Sequence, residues 1–272
     1  MEDNVFKTNY VNHFFFQMNN LYTFEGKNVM FIFLDSNINN AFLIKQMGAK
    51  HVYFVNPSYT FENLKNDDIS LIGLDKNFLK LIPDKTIDLI IGIEILEHIN
   101  DLKTFFEEIK RVLKENGNVE LHGRPMWTSY NGHHLWIKDK FVFYDDTNPF
   151  EPWEHLVYNS QNEMYDALKT KKYSESDSKQ ISEWIYNPNK ISRHTPSEII
   201  EQATEQSMDN LKRNNYTLFV VYEGEDKEYQ YFIKKLLKKL PENRFFEIVK
   251  TKYPEEDLYI TNLILKINRF TT

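Results

Sequence analysis

Short apolar runs alternate with amphipathic stretches along the first half of the chain. These runs have the length of β-strands, and unbroken apolar runs are typical of parallel strands that are buried on both faces. Apolar residues at helical spacing predict helices over residues 41–50 and 101–117, which we expect to end at Gly48 and at Asn116-Gly117. The strand-length runs are residues 28–34, 51–56, 69–74, 86–96 and 118–123. This alternation predicts an α/β fold with a mostly parallel sheet and helices on both faces.

The regular pattern stops after Gly123. Residues 124–215 are rich in aromatic and polar residues and show helical spacing only in patches, at 160–170 and 197–213. We interpret this segment as an insertion that covers the sheet. Regularity then returns, with a predicted strand at 216–223, a helix at 226–240 and a strand at 257–269.

Composition limits the classes of function that the chain can have. With 272 residues, of which 41% are hydrophobic, it is long enough to bury a sizeable core. Its net charge of -7 gives no broad basic surface, so we expect no nucleic-acid partner. The absence of cysteine excludes disulfides, thiolate metal sites and cysteine nucleophiles.

The start of the chain also bears on where the protein works. Residues 1–20 lack the basic start and the uninterrupted apolar run of a secretion signal. No segment approaches the roughly 20 apolar residues that a membrane span needs. We therefore expect a cytoplasmic protein without a membrane span.

Residues 86–123 carry the most specific motif of the chain. They combine a strand, a Glu-His pair, a helix and a second strand, and this combination resembles the central motif of class I S-adenosylmethionine-dependent methyltransferases. The positions that match are Asp88, Glu97, His98, Arg111, Leu113, Lys114 and Gly117. The resemblance covers residues 28–123 and, more loosely, 216–269. It implies a Rossmann-like sheet of seven strands with an antiparallel last strand, and S-adenosylmethionine as the cofactor.

In these terms the chain is a single methyltransferase-like domain. It begins with an aromatic N-terminal segment (1–27), followed by the cofactor-binding half (28–123). The insertion (124–215) would cover the substrate, and the C-terminal part (216–272) would supply a helix and the last two strands. Aromatic N-terminal segments of this fold serve either as caps over the cofactor pocket or as subunit interfaces, and the second use would make the protein a homo-oligomer.

Three short stretches of the insertion carry a second resemblance. They are Gly-His-His-Leu at 132–135, Trp-Glu-His-Leu at 153–156 and Asn-Lys-Ile-Ser-Arg at 189–193. They are similar to a subgroup of bacterial methyltransferase-like proteins often associated with the modification of surface polysaccharides. This resemblance implies a small or carbohydrate-linked acceptor as the partner.

The predicted cofactor-binding turn departs from the family pattern. The family has an acidic residue followed by Gly-x-Gly, where the missing side chains let the backbone approach the cofactor. This chain has Asp35, Ser36 and Asn37 there, with further asparagines at 39 and 40. Since Asp and Asn tolerate left-handed backbone angles, we expect the turn to form with less room beside it.

Three further polar residues are predicted to bind the cofactor. Asn56 ends the second strand, where the family has an acidic residue that binds two ribose hydroxyls; an amide accepts one such bond and donates another. Asp75 follows the third strand, and Glu94 ends the fourth. Ligands of open α/β sheets bind at the carboxyl ends of the strands, although both carboxylates also fit the surface of a solvated loop.

Histidines of the insertion are the candidates for catalysis. A largely unprotonated imidazole is the usual acceptor of the proton that a hydroxyl or amine loses on methylation. We predict His133 or His134 as this base because both follow Gly132 in the loop after the fifth strand. Methyl transfer is an in-line displacement, so positioning can supply most of the rate.

A metal site and simple packing are the alternatives for the same histidines. His133, His134 and His155, with Glu154 or Asp145, have the side chains that divalent metals bind. Adjacent histidines rarely point at one ion, however, and the spacing matches no closed zinc motif, so we expect no metal. The histidines and the neighbouring tryptophans would otherwise pack the insertion against the sheet.

Cationic and aromatic residues of the insertion are predicted to bind the substrate. Arg124 and Arg193 suit an anionic group because a guanidinium forms paired bonds with phosphate or carboxylate; an ion pair within the protein is the alternative. The other predicted substrate-binding residues are Trp127, Tyr130, Trp153 and His155.

The sequence thus predicts methyl transfer from S-adenosylmethionine to an oxygen or nitrogen atom of the acceptor. Two alternatives stay open. In the first, the fold has lost its cofactor and acts on, or only binds, a sugar or phosphate. In the second, the chain is a non-catalytic partner of an active homologue.

Overall fold

The computed structural model describes residues 15, 18–34, 38–56, 68–73, 78–138, 140–207, 243–260 and 262–268. The strand predicted at 216–223 and the helix predicted at 226–240 lie outside the described residues. None of the helices in the described ranges combines the length and the apolar character needed to cross a lipid bilayer.

A six-stranded sheet forms the centre of the described structure. The strands in chain order are β1 (Asn28–Phe33), β2 (His51–Asn56), β3 (Ile69–Gly73), β4 (Ile87–Ile93), β5 (Leu113–Gly123), β6 (Trp136–Ile137), β7 (Phe141–Val142) and β8 (Leu263–Asn268). The sheet has the order β3-β2-β1-β4-β5-β8; β6 and β7 form a separate hairpin. Strands β1 to β5 are parallel, and β8 pairs with β5 in the antiparallel direction. This topology confirms the predicted fold class.

Besides the helical residues 18–22 of the N-terminal segment, seven α-helices have their bounds in the described ranges. They are α1 (Asn39–Gln46), α2 (Leu102–Val112), α3 (Gln161–Thr170), α4 (Glu175–Tyr186), α5 (Pro196–Ser207), α6 (Arg244–Val249) and α7 (Glu255–Tyr259). Helix α1 ends as predicted, because Gly48 follows it with a φ of 96° and donates its N–H to the carbonyl of Lys45. Helix α3 lies within the first patch of helical spacing and α5 overlaps the second, whereas α4 was not predicted.

Helix α2 is shorter than the predicted helix over 101–117. The side chain of Asp101 caps its start by accepting a hydrogen bond from the N–H of Thr104 at 3.0 Å, and the helix ends at Val112. The chain then enters β5 directly, with an irregular register between β4 and β5. Gly117 lies in this stretch, where a Cβ atom would come within 2.6 Å of the Leu113 side chain. It therefore relieves crowding in β5 and does not cap the helix.

The strand predicted over 257–269 also begins later than expected. Residues 255–259 form helix α7 instead, and β8 starts at Leu263. The first turn of α7 holds three acidic residues, Glu255, Glu256 and Asp257, which interact favourably with the positive end of a helix dipole. This local stabilisation accounts for the helix where the apolar alternation suggested a strand.

Three hydrophobic clusters hold the layers together. The first joins one face of the sheet to α2 and α5 and includes Ile90, Phe106 and Ile199. The second covers the other face, where Phe15, Met18 and Phe24 of the N-terminal segment pack with α1 on β1 and β2. The third lies within the insertion and extends to α6 and α7. The insertion therefore has an apolar core of its own beside the carboxyl edge of the sheet.

Replacing Gly48 by alanine tests the turn between α1 and β2. We expect a loss of about 1–3 kcal/mol in the free energy of unfolding, because an L-residue is strained at positive φ and the new Cβ would lie 3.2 Å from the backbone Cα of Glu25, closer than an ordinary contact. Gly26→Ala is the matched control, since Gly26 has a φ of 71° and no atom within 4 Å of the added Cβ. Urea unfolding should show the larger loss for Gly48→Ala; equal losses would contradict the close contact.

Candidate active site

The candidate site lies at the carboxyl edge of the parallel strands. Asn56 ends β2, Glu94 follows β4 and Arg124 follows β5. Because these strands are parallel neighbours, their carboxyl ends meet at one edge, which is where open α/β sheets bind ligands. Four of the predicted cofactor residues, Asp35, Ser36, Asn37 and Asp75, lie outside the described residues.

Asn56 joins the ends of two neighbouring strands. Its side chain is fully buried, and its Nδ2 donates a hydrogen bond of 3.2 Å to the carbonyl of Leu34, just past β1. An aspartate at this position would lack that donor and would place its negative charge near the carbonyl oxygen. The amide therefore suits the local backbone, and it offers a ligand a neutral oxygen where the family has a carboxylate.

Glu94 and Arg124 form an ion pair with each other. Both Nε and Nη2 of Arg124 lie 3.0 Å from Oε1 of Glu94. The two side chains are 35% and 39% exposed, so solvent screens the pair and its contribution to stability is small. The structure thus brings together one residue predicted for the cofactor and one predicted for the substrate.

His133 is enclosed in the core of the insertion. It is fully buried, its ring makes edge contacts with Phe150 and His155, and its Nδ1 accepts a hydrogen bond from the N–H of Leu135 at 3.2 Å. Burial lowers the pKa of His133 well below its usual value, and the neighbouring histidines lower it further. His133 therefore stays neutral, and its ring packs within the aromatic group of the insertion.

His155 belongs to the same buried group. Its Nε2 lies 2.9 Å from the carbonyl of Trp127, which only accepts hydrogen bonds, so Nε2 carries the proton. Burial lowers the pKa of His155 to about 4. Trp153 and Tyr130 pack beside these rings, with Trp153 donating its Nε1–H to the carbonyl of Leu258 at 3.2 Å. These three predicted substrate-binding residues form part of the aromatic core.

His134 points away from His133 and toward the loop after β4. It has a φ of 50°, its ring stacks on Phe143, and its edge meets His98 at a centroid distance of 5.4 Å. Burial lowers the pKa of His134 to about 3 and that of His98 to about 4. Both imidazoles are therefore neutral at physiological pH.

Glu97 lies beside these two rings and is fully buried. Burial raises the pKa of its carboxyl group well above the usual value, although the backbone N–H groups of Glu97 and Arg124 act in the opposite direction. Its Oε1 lies 3.8 Å from Nε2 of His98. This Glu-His pair is the one that carried the family resemblance in the sequence.

The histidines and carboxylates that the sequence suggested as an alternative metal site do not come together in the structure. Glu154 accepts hydrogen bonds from Lys171 at 2.6 Å and from Tyr158 at 2.7 Å, and Asp145 binds Thr147 within its own turn. His133 and His134 face different neighbours, as adjacent histidines usually do.

An open cleft of about 530 Å³ lies between the insertion and the loop after β4. Trp127 and Arg193, both predicted from the sequence, line it. Sequence reasoning did not select the other polar and aromatic lining residues, among them Asn100, Tyr158, Tyr186, His194 and Tyr253. His194 directly follows Arg193 in the Ser-Arg-His stretch, so this motif could have identified His194 as a residue of the cleft.

Arg193 is held in the cleft by an aromatic ring. Its guanidinium lies 5.0 Å from the centre of Tyr186, whose hydroxyl donates to the carbonyl of Tyr158 at 3.0 Å. Burial raises the pKa of Tyr186 to about 12. The cleft therefore presents one exposed cation and several aromatic side chains.

Comparison with known proteins bears on the first half of the chain. Residues 38–121 match the family described as a methyltransferase domain. This segment contains α1, β2 to β4 and most of β5, together with the Glu-His pair. No curated protein matches the chain.

Several solved structures of methyltransferases are similar at low identity. An S-adenosylmethionine-dependent methyltransferase from Mesorhizobium loti is 11% identical, with a TM-score of 0.48 over 90% of this chain and 92% of the other. One from Archaeoglobus fulgidus is 12% identical, with a TM-score of 0.41 over 92% and 90%. A phosphoethanolamine N-methyltransferase from Haemonchus contortus, bound to S-adenosylhomocysteine, is 12% identical, with a TM-score of 0.37 over 89% and 48%.

The buried histidines make the protein sensitive to acid. Their folded-state pKa values lie below the unfolded value of about 6.5, so the unfolded chain binds more protons as the pH falls below 6.5. The free energy of unfolding should then fall by up to about 1.4 kcal/mol per pH unit for each histidine, until the pH reaches that histidine's folded pKa.

His155→Gln tests this dependence at one position. Glutamine keeps a donor for the carbonyl of Trp127 and does not titrate, so we expect a shallower loss of stability between pH 6.5 and 4.5. Urea unfolding at several pH values gives the two slopes. The raised pKa of Glu97 acts in the opposite direction in both proteins and leaves the difference unchanged. Identical slopes would show that His155 titrates normally in the folded state.

Proposed function

We propose that the protein transfers a methyl group from S-adenosylmethionine to an oxygen or nitrogen atom of a small or carbohydrate-linked acceptor. The observation that carries this proposal is the position of the cleft beside the methyltransferase domain of residues 38–121. Asn100, which follows β4, and Trp127, which follows β5, both line that cleft. Donor and acceptor would therefore meet at one edge of the sheet.

The cofactor would occupy the ends of β1, β2 and β4. When bound, S-adenosylmethionine supplies an electrophilic methyl group. Asn56 would accept one ribose hydroxyl through its amide oxygen, and Glu94 would lie near the cofactor beside Arg124. Asp35, Ser36, Asn37 and Asp75 complete the proposed cofactor-binding set. The polar side chains among the described residues suit the polar groups of the cofactor, although the amide of Asn56 replaces the carboxylate that the family usually has.

The acceptor would occupy the cleft. Its volume of about 530 Å³ lies within the range of small-molecule sites. Aromatic faces such as those of Trp127 and Tyr186 suit the apolar face of a sugar ring, and the side-chain amide of Asn100 suits its hydroxyls. Arg193 suits a phosphate or carboxylate on the same acceptor. The short motifs of the insertion, which resemble proteins of polysaccharide modification, favour the same class of acceptor.

Of the two histidines predicted as the base, His134 keeps the role in this proposal. His133 is enclosed by aromatic rings, whereas His134 is partly exposed and lies beside the loop after β4. Its lowered pKa makes it a weak base. Positioning of the acceptor must then supply most of the rate, as in-line methyl transfer allows.

One observation favours a second candidate, in which the fold binds a sugar or phosphate without the cofactor. Asn56 already bonds to the carbonyl of Leu34, and Glu94 already pairs with Arg124. The described cofactor-binding groups thus already have protein partners, and in this candidate the cleft around Arg193 binds the ligand.

Calorimetric titration with S-adenosylmethionine and S-adenosylhomocysteine distinguishes the two candidates. We expect micromolar binding to the native protein. Asn56→Asp should bind several-fold more tightly, because a carboxylate accepts two hydroxyl bonds and charged bonds are stronger. The same variant should unfold at a lower temperature without ligand, since it loses the bond to Leu34.

Asn28→Asp is the matched control for this titration. Asn28 also donates its side-chain amide to a backbone carbonyl, that of Thr86, but at the amino end of β1. The Asn28→Asp variant should be less stable than the native protein but should bind the cofactor with the same affinity. No binding of either ligand at millimolar concentration, to the native protein and to Asn56→Asp alike, would exclude the methyltransferase function.

Arg193→Gln tests the acceptor cleft. We expect acidic sugars or sugar phosphates to quench the intrinsic tyrosine and tryptophan fluorescence of the native protein at lower concentration than neutral sugars do. The variant should lose this preference by about tenfold, because it lacks the cation. Arg244→Gln is the control, since Arg244 also stacks on a ring but does not line the cleft. An unchanged preference in Arg193→Gln would rule out this role for Arg193.

A further inference from the structure

Glu97, His98 and His134 come together where the insertion meets the loop after β4. One potential ligand atom from each lies within 4.8 Å of the others, and this is the one such trio within the described ranges. Glu97 and His98 belong to the short turn after β4, while His134 comes from the insertion. The trio differs from the set of histidines and carboxylates that the sequence suggested.

Glu97 has a buried carboxyl group whose oxygens lack a well-formed hydrogen bond within the described residues. Its side chain is fully buried, and neither carboxylate oxygen has a hydrogen bond of normal geometry to the described residues. Burial raises the pKa of this carboxyl group well above its usual value, and the backbone N–H groups of Glu97 and Arg124 offset only part of that effect. A buried carboxyl group is either protonated or matched by a cation, and a bound metal ion would supply that cation to both oxygens.

Both histidines are oriented by backbone groups. Nε2 of His134 lies 2.9 Å from the carbonyl of Pro125, which only accepts, so Nε2 carries the proton and Nδ1 has the lone pair. The ring of His98 likewise bonds to the backbone of Lys190, while its Nε2 lies 3.8 Å from Oε1 of Glu97. Histidines that bind metals usually donate their other ring N–H to a carbonyl or carboxylate, which fixes the tautomer.

We propose that Glu97, His98 and His134 bind one divalent transition-metal ion of the zinc type. Two imidazoles and one carboxylate are a ligand set that zinc and iron accept, and they leave at least one coordination position open. Ligand atoms around such an ion lie about 3–3.5 Å apart at bond lengths near 2.1 Å. The trio would therefore close by about 1 Å on binding, which side-chain rotation can provide.

The ion would fasten the insertion to the methyltransferase domain. His134 follows β5 in the chain, and its carbonyl accepts a hydrogen bond of 3.0 Å from Nε1 of Trp184 in α4. Glu97 accepts a backbone hydrogen bond from Ser192, two residues before the cleft residue His194. The site therefore lies directly behind one wall of the cleft. A metal ion on Nδ1 of His134 would occupy the lone pair that the proposed base uses, so in the metal-bound protein the open position of the ion, and not His134, would bind the acceptor oxygen. That step rests on the proposed function, whereas binding of the metal does not.

Titration of metal-free protein with Zn²⁺ and Co²⁺, without S-adenosylmethionine, tests the proposal. We expect one equivalent to bind with a Kd in the micromolar range or tighter. The melting temperature should rise by about 5 °C or more when the free metal is 100-fold above Kd. His98→Gln and His134→Gln should each weaken binding at least tenfold. His51→Gln is the control, because His51 bonds to Ser70 at the far end of β2 and should not matter.

Two results would overturn the proposal. One is the absence of binding to folded native protein; the other is equal binding by the native protein and the two trio variants, which would place the metal elsewhere. If neither variant folds, X-ray absorption spectroscopy of the zinc-loaded native protein can count the imidazole ligands of the ion. We expect two imidazole ligands, and fewer than two would contradict the site. Calorimetry with S-adenosylmethionine on metal-free protein tests the proposed function separately.

Discussion

Hydrogen bonds between residues 97–100 and 188–194 determine where the insertion lies on the sheet. The N–H of Ser192 donates to the carbonyl of Glu97 at 2.7 Å, and the side chain of Asn100 donates to the carbonyl of Pro188 at 2.7 Å. His194 then donates its Nε2–H to the carbonyl of Asn100 at 3.0 Å. Because these bonds join the turn after β4 to the insertion, both the cleft around Arg193 and the trio around Glu97 depend on them.

The sheet was predictable because parallel strands are buried on both faces and therefore appear as unbroken apolar runs. Strand β2 has the predicted bounds, and β1 and β4 end within a few residues of theirs. The predicted bounds were wrong where strand pairing or the interaction of acidic residues with a helix dipole outweighed the local sequence pattern. Asn116-Gly117 signals a turn, yet pairing of β5 with β4 extends the strand back to Leu113. Apolar alternation continued through 257–259, yet the acidic first turn of α7 favours a helix there.

The candidate site was predictable only in part, because the spacing of residues along the sequence does not show in which direction their side chains point. Family resemblance led to Asn56, and position after a strand led to Glu94 and Arg124, but only the structure shows that Glu94 and Arg124 bind each other. His133 and His134 are adjacent in sequence, and their side chains enter different surroundings. His133 joins the aromatic core with His155, whereas His134 meets His98 from a distant part of the chain. No local pattern encodes that second contact.

The backbone around the site explains these directions. Glu94, His134 and Trp153 have positive φ values of 50°, 50° and 62°, a conformation that costs a non-glycine residue about 1–2 kcal/mol. Each is held by contacts from elsewhere: Arg124 binds Glu94, Trp184 binds the carbonyl of His134, and the carbonyl of Tyr130 accepts from the N–H of Trp153. Since distant groups hold these angles, the sequence around each residue does not reveal them. The strain lies where the insertion meets the sheet, and there it turns the side chain of His134 toward Glu97 and His98 in the turn after β4.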